Sequence, residues 1–289
     1  YHELSHKLKL LLQKEIPTIE QFSIDEFFGD VTGWIDDKDI YSFSLYLQQK
    51  ILNELRLPIS IGIAKTKWIA KLATNDAKPN GVKLILPNEV DVYIKDKPIS
   101  EFCGIGKGYQ SKLYNKGIKT LGDVKDKKNI FYSFGKFGIQ LYHRILGTDT
   151  EILSHTKDPS KSIGLSRTFD PLYDREEVKR RIVILARHLS FLAYKGKNNP
   201  LTYSLIIKYQ FNLIVKDHIN TNRNFNEALF KQELLKLYRK IDTHPVHAII
   251  QISITLSNFQ ANKHNTLDMF SLEEDTKQIK ITSAMQKLR

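Results

Sequence analysis

The sequence predicts an α+β protein of several domains, and three observations carry that expectation. Residues 1–97 alternate amphipathic helical patterns with short β-branched runs. Residues 98–154 are short helical pieces broken by glycine with no convincing strand, and residues 161–256 return to alternating strands and helices. A chain of 289 residues is also long for a single core, so two or three modules are expected.

Leu4, Leu8, Leu11 and Leu12 fall at helical spacing within residues 2–15, and Pro17 stops that helix. The stretch from Phe22 to Gly33 reads as strand, tight acidic turn and strand, with Asp25 and Glu26 at the turn. A second amphipathic helix follows Asp36-Asp37-Lys38-Asp39 and carries Ile40, Phe43, Leu47, Ile51 and Leu55. A strand at 58–64, a helix at 66–77 and a strand at 81–86 then complete a sheet with helices packed on it.

The character changes at Asp96-Lys97-Pro98. Gly104-Ile105-Gly106-Lys107-Gly108 leads into a helical pattern at 110–114. The two glycines let the backbone turn tightly and aim its amides outward at a helix N-terminus, an anion-binding arrangement. It is not a Walker loop, because Gly106-Lys107 is followed by Gly108 instead of Ser or Thr. Two readings stay open: a plain interhelical turn, and a helix-hairpin-helix whose amides and Lys107 hold a nucleic-acid phosphate without reading sequence. A polar linker at 154–160 leads to a strand at 161–169, a basic helix at 176–194, a strand at 201–209, a helix at 226–241 and a strand at 248–256. This is a small sheet whose helices share one face. Arg180, Arg181 and Arg187 lie on its first helix, facing either DNA or only solvent. Residues 258–275 are polar and irregular, and 279–289 read as a helix.

Composition narrows the function classes. Cys103 is the one cysteine, which excludes an internal disulfide and a Cys-rich zinc site and fits a reducing compartment. His244 and His247 straddle Pro245 without a supporting cysteine, so a zinc enzyme is a weak reading. There is no apolar run of membrane-spanning length and no signal-peptide layout, so a cytoplasmic protein away from membranes is expected. The net charge of +12 is unevenly spread: residues 1–97 sum to −1, 98–154 to +4, 155–210 to +6 and 211–289 to +3. Such a split is expected where the later modules grip a polyanion and the first does something else. Adjacent carboxylates at Asp25 and Glu26 repel unless a cation sits between them, and hard oxygen ligands are what Mg²⁺ accepts. The dipeptide alone reads more readily as a solvated turn than as a metal site.

Taken together these motifs resemble the Y-family of translesion DNA polymerases, the group of bacterial DNA polymerase IV and UmuC. Ser23-Ile24-Asp25-Glu26 with Asp30-Val31-Thr32 is similar to its catalytic motif. Ile59-Ser60-Ile61-Gly62-Ile63-Ala64, Lys71-Leu72-Ala73 and Ala77-Lys78-Pro79-Asn80-Gly81 are similar to its second palm motif. Gly104-Ile105-Gly106-Lys107 matches the thumb hairpin, and Lys161-Ser162-Ile163-Gly164 with Arg167-Thr168-Phe169 matches the first strand of the little finger. Phe27 and Gly29 stand where Ala and Leu are common, and Asn75 where an acid is frequent.

The resemblance implies a partial palm at 1–97, a helix-hairpin-helix thumb at 98–153, a linker at 154–160, a little finger at 161–259 and a tail at 260–289. It implies two Mg²⁺ ions, with Asp25 and Glu26 as catalytic metal ligands, and Lys78 at the triphosphate of an incoming dNTP. Gly104, Ile105, Gly106, Lys107, Ser162 and Arg167 would touch primer-template DNA. Thr266-Leu267-Asp268-Met269-Phe270 resembles a sliding-clamp peptide in which Leu267, Met269 and Phe270 fill the pocket; the other reading is a loop covering its own domain. Set against the family, the chain lacks the N-terminal palm strand with its metal-binding aspartate and the fingers with the steric gate, and it stops inside the C-terminal segment. The expectation is a monomeric fragment that keeps DNA binding and is impaired in catalysis. A non-catalytic DNA-binding or interaction fragment is the alternative, and a palm-like nucleotide cyclase is a third reading that needs neither the hairpin nor the basic third module.

Overall fold

The computed structural model describes residues 1–154, 159–260 and 277, in two compact units, 1–157 and 158–289. In the first unit, α1 (His2–Glu15) ends as Ile16 turns to extended backbone ahead of Pro17. Leu8, Leu11 and Leu12 of α1 are buried against Leu47 and Ile51 of α2 (Ile40–Leu55). Between these helices β1 (Thr18–Gln21) and β2 (Phe27–Asp30) form an antiparallel hairpin with Gln21 opposite Phe27. The first strand thus ends one residue before Phe22. The amides of Phe22 and Ser23 both donate to the carbonyl of Glu26, which closes 22–26 into the turn.

After α2, β3 (Ile61–Ala64) pairs in parallel with β4 (Val82–Ile85), and α3 (Lys67–Asp76) makes the crossover that parallel strands require. The expected single sheet is therefore corrected to two separate two-stranded ribbons. Side chains, and not a shared backbone ladder, hold them together: Ile19, Phe27 and Ile61 all pack on the α1–α2 cluster.

A second buried cluster starts at Trp68, Ile69 and Leu72 of α3. It continues through Ile94 of α4 (Val90–Ile94), Leu113 of α5 (Lys107–Tyr114) and Phe131 of α6 (Lys128–Ser133) to Leu141 of α7 (Gly135–Ile145). The segment before Gly104 is a single 3₁₀ turn, Ile99–Glu101. The first helix of the expected helix-hairpin-helix is thus reduced to one turn, because Pro98 and the glycine at 104 leave no room for more.

The second unit is a four-stranded antiparallel sheet of order β5-β8-β6-β7, formed by β5 (Ser162–Leu172), β6 (Asn199–Tyr209), β7 (Ile214–Asn220) and β8 (Ile249–Gln260). Its helices are α8 (Arg175–Lys195), capped by the Asp174 carboxylate accepting from the Glu176 amide, and α9 (Glu227–Ile241), capped by Asn226 accepting from Leu229. Both lie on one face, as expected. Val178, Ile182 and Leu189 of α8 and Phe230 and Leu234 of α9 join Leu205, Ile207, Ile252 and Ile254 of the sheet in one core. β7 is absent from the sequence reading. It is an edge strand whose outward residues, Ile214, Lys216, His218 and Asn220, are mostly polar, and Asp217 interrupts its inward row. The segment with Leu267, Met269 and Phe270 and the expected helix at 279–289 lie outside the described residues.

Candidate metal centre and nucleic-acid surfaces

The acidic turn is built by Ser23. Its hydroxyl accepts from the amides of Asp25 (3.3 Å) and Glu26 (3.1 Å) and donates to Asp25 Oδ1 at 2.7 Å. One small side chain thereby fixes both the turn and the rotamer of the first carboxylate. Asp25 is exposed, and Glu26 is half-buried with its Oε1 2.5 Å from Lys71 Nζ.

Helix α3 braces this hairpin with two lysines one turn apart. Lys67 pairs with both carboxylate oxygens of Glu20, at 2.7 and 2.8 Å, while Lys71 takes Glu26. Lys67 Nζ lies 4.8 Å from the centre of the Phe28 ring, 5.3 Å from Trp68 and 5.7 Å from Phe22. Burial pushes the Glu20 carboxyl up, but hydrogen bonds from Lys67 and from the Ser154 amide together hold it below its ordinary value. Trp68 Nε1 donates to Glu151, and the Arg144 guanidinium stacks 4.2 Å over the Trp68 ring while pairing with Glu151. The segment at 151–154 is thus tied to the hairpin through α3.

Glycine explains the tightness of this frame. A Cβ on Gly62 of β3 would lie 2.1 Å from the Ala70 carbonyl and 2.3 Å from the Thr74 amide, so the strand rests on the helix backbone itself. Lys78 is exposed just past the end of α3, in the turn that brings the Gly81 amide onto the Ala77 carbonyl at 2.7 Å. Lys71 stands in a sequence motif that names no partner for it, and Glu20 and Lys67 stand in none; the sequence signal for the lysines is their spacing of four on one helix face.

Among the described residues no group of three His, Cys, Asp or Glu converges to hold a metal. Asp25 and Glu26 nevertheless fit Mg²⁺ by donor type. They offer hard carboxylate oxygens at an open turn, and this ion is bound through one or two carboxylates plus substrate phosphates.

Gly104 has φ +99°, which glycine alone takes without strain, and it drops Ile105 into the core. The Ile105 amide is committed to the Phe102 carbonyl at 3.1 Å. What this loop offers an anion is therefore the first turn of α5, which starts after Gly106 with no capping side chain, together with the exposed Lys107.

In the second unit, the sheet face away from the helices carries small polar side chains: Ser162, Ser166 and Thr168 on β5, Gln251, Ser253, Thr255 and Ser257 on β8, and Thr202 and Ser204 on β6. Ser166 and Ser253 hydroxyls meet at 2.7 Å, and Gln251 donates to Ser166 at 2.6 Å. Lys208 and Lys216 extend the same face. Register sets Arg167 opposite Ile252, in the row that faces the helices, so Ser162 and Arg167 belong to opposite faces of an edge strand. Arg180 and Arg181 both pair with Glu177, and Arg187 with Glu227, in the helix layer. Three arginines of the basic helix are thus held in ion pairs, two of them sharing one carboxylate. The alternation of Ser and Thr in β5 and β8 was the sequence signal for the open face.

Two models of one family flank the chain: the impB/mucB/samB family matches residues 1–75 and its C-terminal domain matches 160–269. A DNA polymerase IV of Mannheimia succiniciproducens is 35% identical over 201 residues, covering 68% of this chain and 56% of that protein. One from Streptococcus sanguinis is 27% identical over 265 residues, covering 90% of this chain and 74% of that protein. The chain thus spans between about half and three quarters of the length of these relatives. A solved Y-family DNA polymerase chimera of Dbh and Dpo4 shares the fold with a TM-score of 0.75 at 22% identity, covering 91% of this chain and 77% of that one. With the acidic hairpin and the helix-backed sheet both inside the matched residues, the chain belongs to the impB/mucB/samB family, the Y-family of translesion DNA polymerases.

Proposed function

We propose that this chain serves template-directed DNA synthesis of the damage-bypass type, with primer-template DNA and a dNTP as its partners. The reaction is attack of the primer 3′-hydroxyl on the α-phosphorus. A new P–O bond forms, the bond to the bridging oxygen breaks, pyrophosphate leaves and the hydroxyl proton passes to water. Asp25 and Glu26 hold Mg²⁺ at the exposed turn, and the ion when bound lowers the hydroxyl's pKa and screens the phosphate oxygens. Ser23 presets Asp25 for this, and the Lys67–Glu20 pair keeps the hairpin seated on α3. Lys78 supplies a fixed cation for the charge that gathers on the leaving pyrophosphate.

DNA is held through phosphates by Lys107 and the α5 N-terminus, by Ser162 and the hydroxyl-rich sheet face, and by Arg167 at the edge. The Thr266 to Phe270 sequence supports docking of Leu267, Met269 and Phe270 on a sliding clamp, with the polymerase itself acting as a monomer. No helix among the described residues is long and apolar enough to cross a membrane; the proposed action on DNA is what places the protein in the cytoplasm.

The observation that carries this reading is the pair Asp25 and Glu26 at an open turn braced by the motif helix. Single-nucleotide incorporation on a primed template with Mg²⁺ tests it. The expected result is weak, Mg²⁺-dependent incorporation, in keeping with a catalytically impaired fragment, that falls by a further factor of about 100 in Asp25→Ala and in Glu26→Ala with DNA binding retained. Tight DNA binding with no incorporation by the unaltered protein would instead establish a DNA-binding module without chemistry.

A further inference from the structure

We infer that Lys71 is a stand-in cation for the metal at Glu26: its ammonium holds that carboxylate until a divalent ion displaces it, and so sets how tightly the ion binds. The inference rests on the metal-binding reading of Asp25 and Glu26. Two Lys–Glu rungs project from one face of α3, and their environments differ. Lys67 and Glu20 are 9% and 14% exposed, and the Ser154 amide donates to Glu20 as well, so that carboxylate is fully committed to the fold. Lys71 and Glu26 are 17% and 42% exposed, and the lysine takes only Oε1. Glu26 therefore has a second oxygen that the lysine does not take, while its first is occupied by a positive charge of the kind that neighbouring carboxylates need.

Lys71 can yield that place without leaving an unsupported charge. Its Nζ lies 5.1 Å from the Phe22 ring centre, so an aromatic face already attends the ammonium on the hairpin side. A cation on one oxygen of Glu26 opposes a second positive charge arriving at the other, so the ion binds more weakly while the lysine stays in place. Glu26 is thereby kept in a ligand-ready position at the cost of affinity, and the first rung bears the structural load.

Mn²⁺ titration of the full chain without DNA or nucleotide, read as free-ion electron paramagnetic resonance, tests this. Lys71→Met should bind Mn²⁺ roughly tenfold more tightly than the unaltered protein. Lys71→Gln keeps an amide donor for Glu26 without the charge and should do the same, while Lys71→Arg should stay within about twofold. Unchanged or weaker binding in both neutral variants overturns the inference. If Glu26→Gln binds Mn²⁺ as well as the unaltered protein does, the metal site itself is wrong and the inference falls with it; tightening in neither neutral variant while Glu26→Gln abolishes binding removes the inference alone.

Discussion

Lys67 and Glu20 form a two-oxygen ion pair beneath the acidic turn, with both side chains less than 15% exposed and three aromatic rings around the ammonium. A pair so placed anchors β1 to α3, and removal of one partner strands the other charge. Lys67→Met is expected to destabilise the first unit by about 3 kcal/mol, whereas Lys67→Met with Glu20→Leu should recover most of that loss. Tryptophan fluorescence during denaturant unfolding reads this unit alone, because Trp34 and Trp68 both lie in it. A double variant as unstable as the single one would show that the pair itself, and not the orphaned charge, carries the stability.

The same pair makes a pH prediction. The Glu20 carboxyl lies below its ordinary value in the fold, so its contribution is complete above the unfolded value of about 4.3 and is lost as pH falls through the depressed folded value. The melting-temperature gap between the unaltered protein and Lys67→Met should be widest near neutral pH and close as the pH drops through about 4. A gap that is constant across this range would mean that Glu20 is not the group titrating.

Gly62→Ala should be among the most damaging small substitutions available. The new methyl would meet the Ala70 carbonyl and the Thr74 amide at 2.1 and 2.3 Å, both backbone atoms that cannot swing aside. The expected loss is about 3 kcal/mol or more, by chemical denaturation. Gly108→Ala is the contrasting case. Nothing lies within 4 Å of the added carbon and the site is in α5, so the change should stabilise by about 0.5 kcal/mol.

How far the sequence shows this architecture depends on whether a signal is local. Leu8, Leu11 and Leu12 announce α1, and the Phe22 to Gly33 pattern announces a turn at Asp25 and Glu26, because periodicity and turn chemistry are written within a few residues. The split of β1–β2 from β3–β4 depends on hydrogen bonds between distant segments, and no residue type records their absence. The Lys67–Glu20 and Lys71–Glu26 pairs join residues more than forty positions apart, so only the lysine spacing was legible and not the partners. Residues 180 and 181 read as either a DNA-facing or a solvated surface, and in the fold both pair with the single Glu177 one turn earlier. Strand β7 escaped because an edge strand with a polar outer row has neither strong alternation nor an apolar run.

That open sheet face leads to the last prediction. Lys208 and Lys216 lie on the side of the sheet without helices, with Gln251, Ile214 and Ile206 as their cross-strand neighbours and no acid among these. Arg180 is as exposed as many DNA-binding residues but is already paired with Glu177. Neutralising Lys208 or Lys216 to Ala should weaken binding of a labelled primer-template similarly for unrelated sequences and lower the slope of log K against log salt by about 1 each. Arg180→Ala should change neither, since its guanidinium is held by Glu177 in the helix layer, away from the open sheet face. Fluorescence anisotropy across a salt series separates the cases. A large effect of Arg180→Ala with none from the two lysines would move the DNA to the helix side, and the hydroxyl-rich face would then need another role.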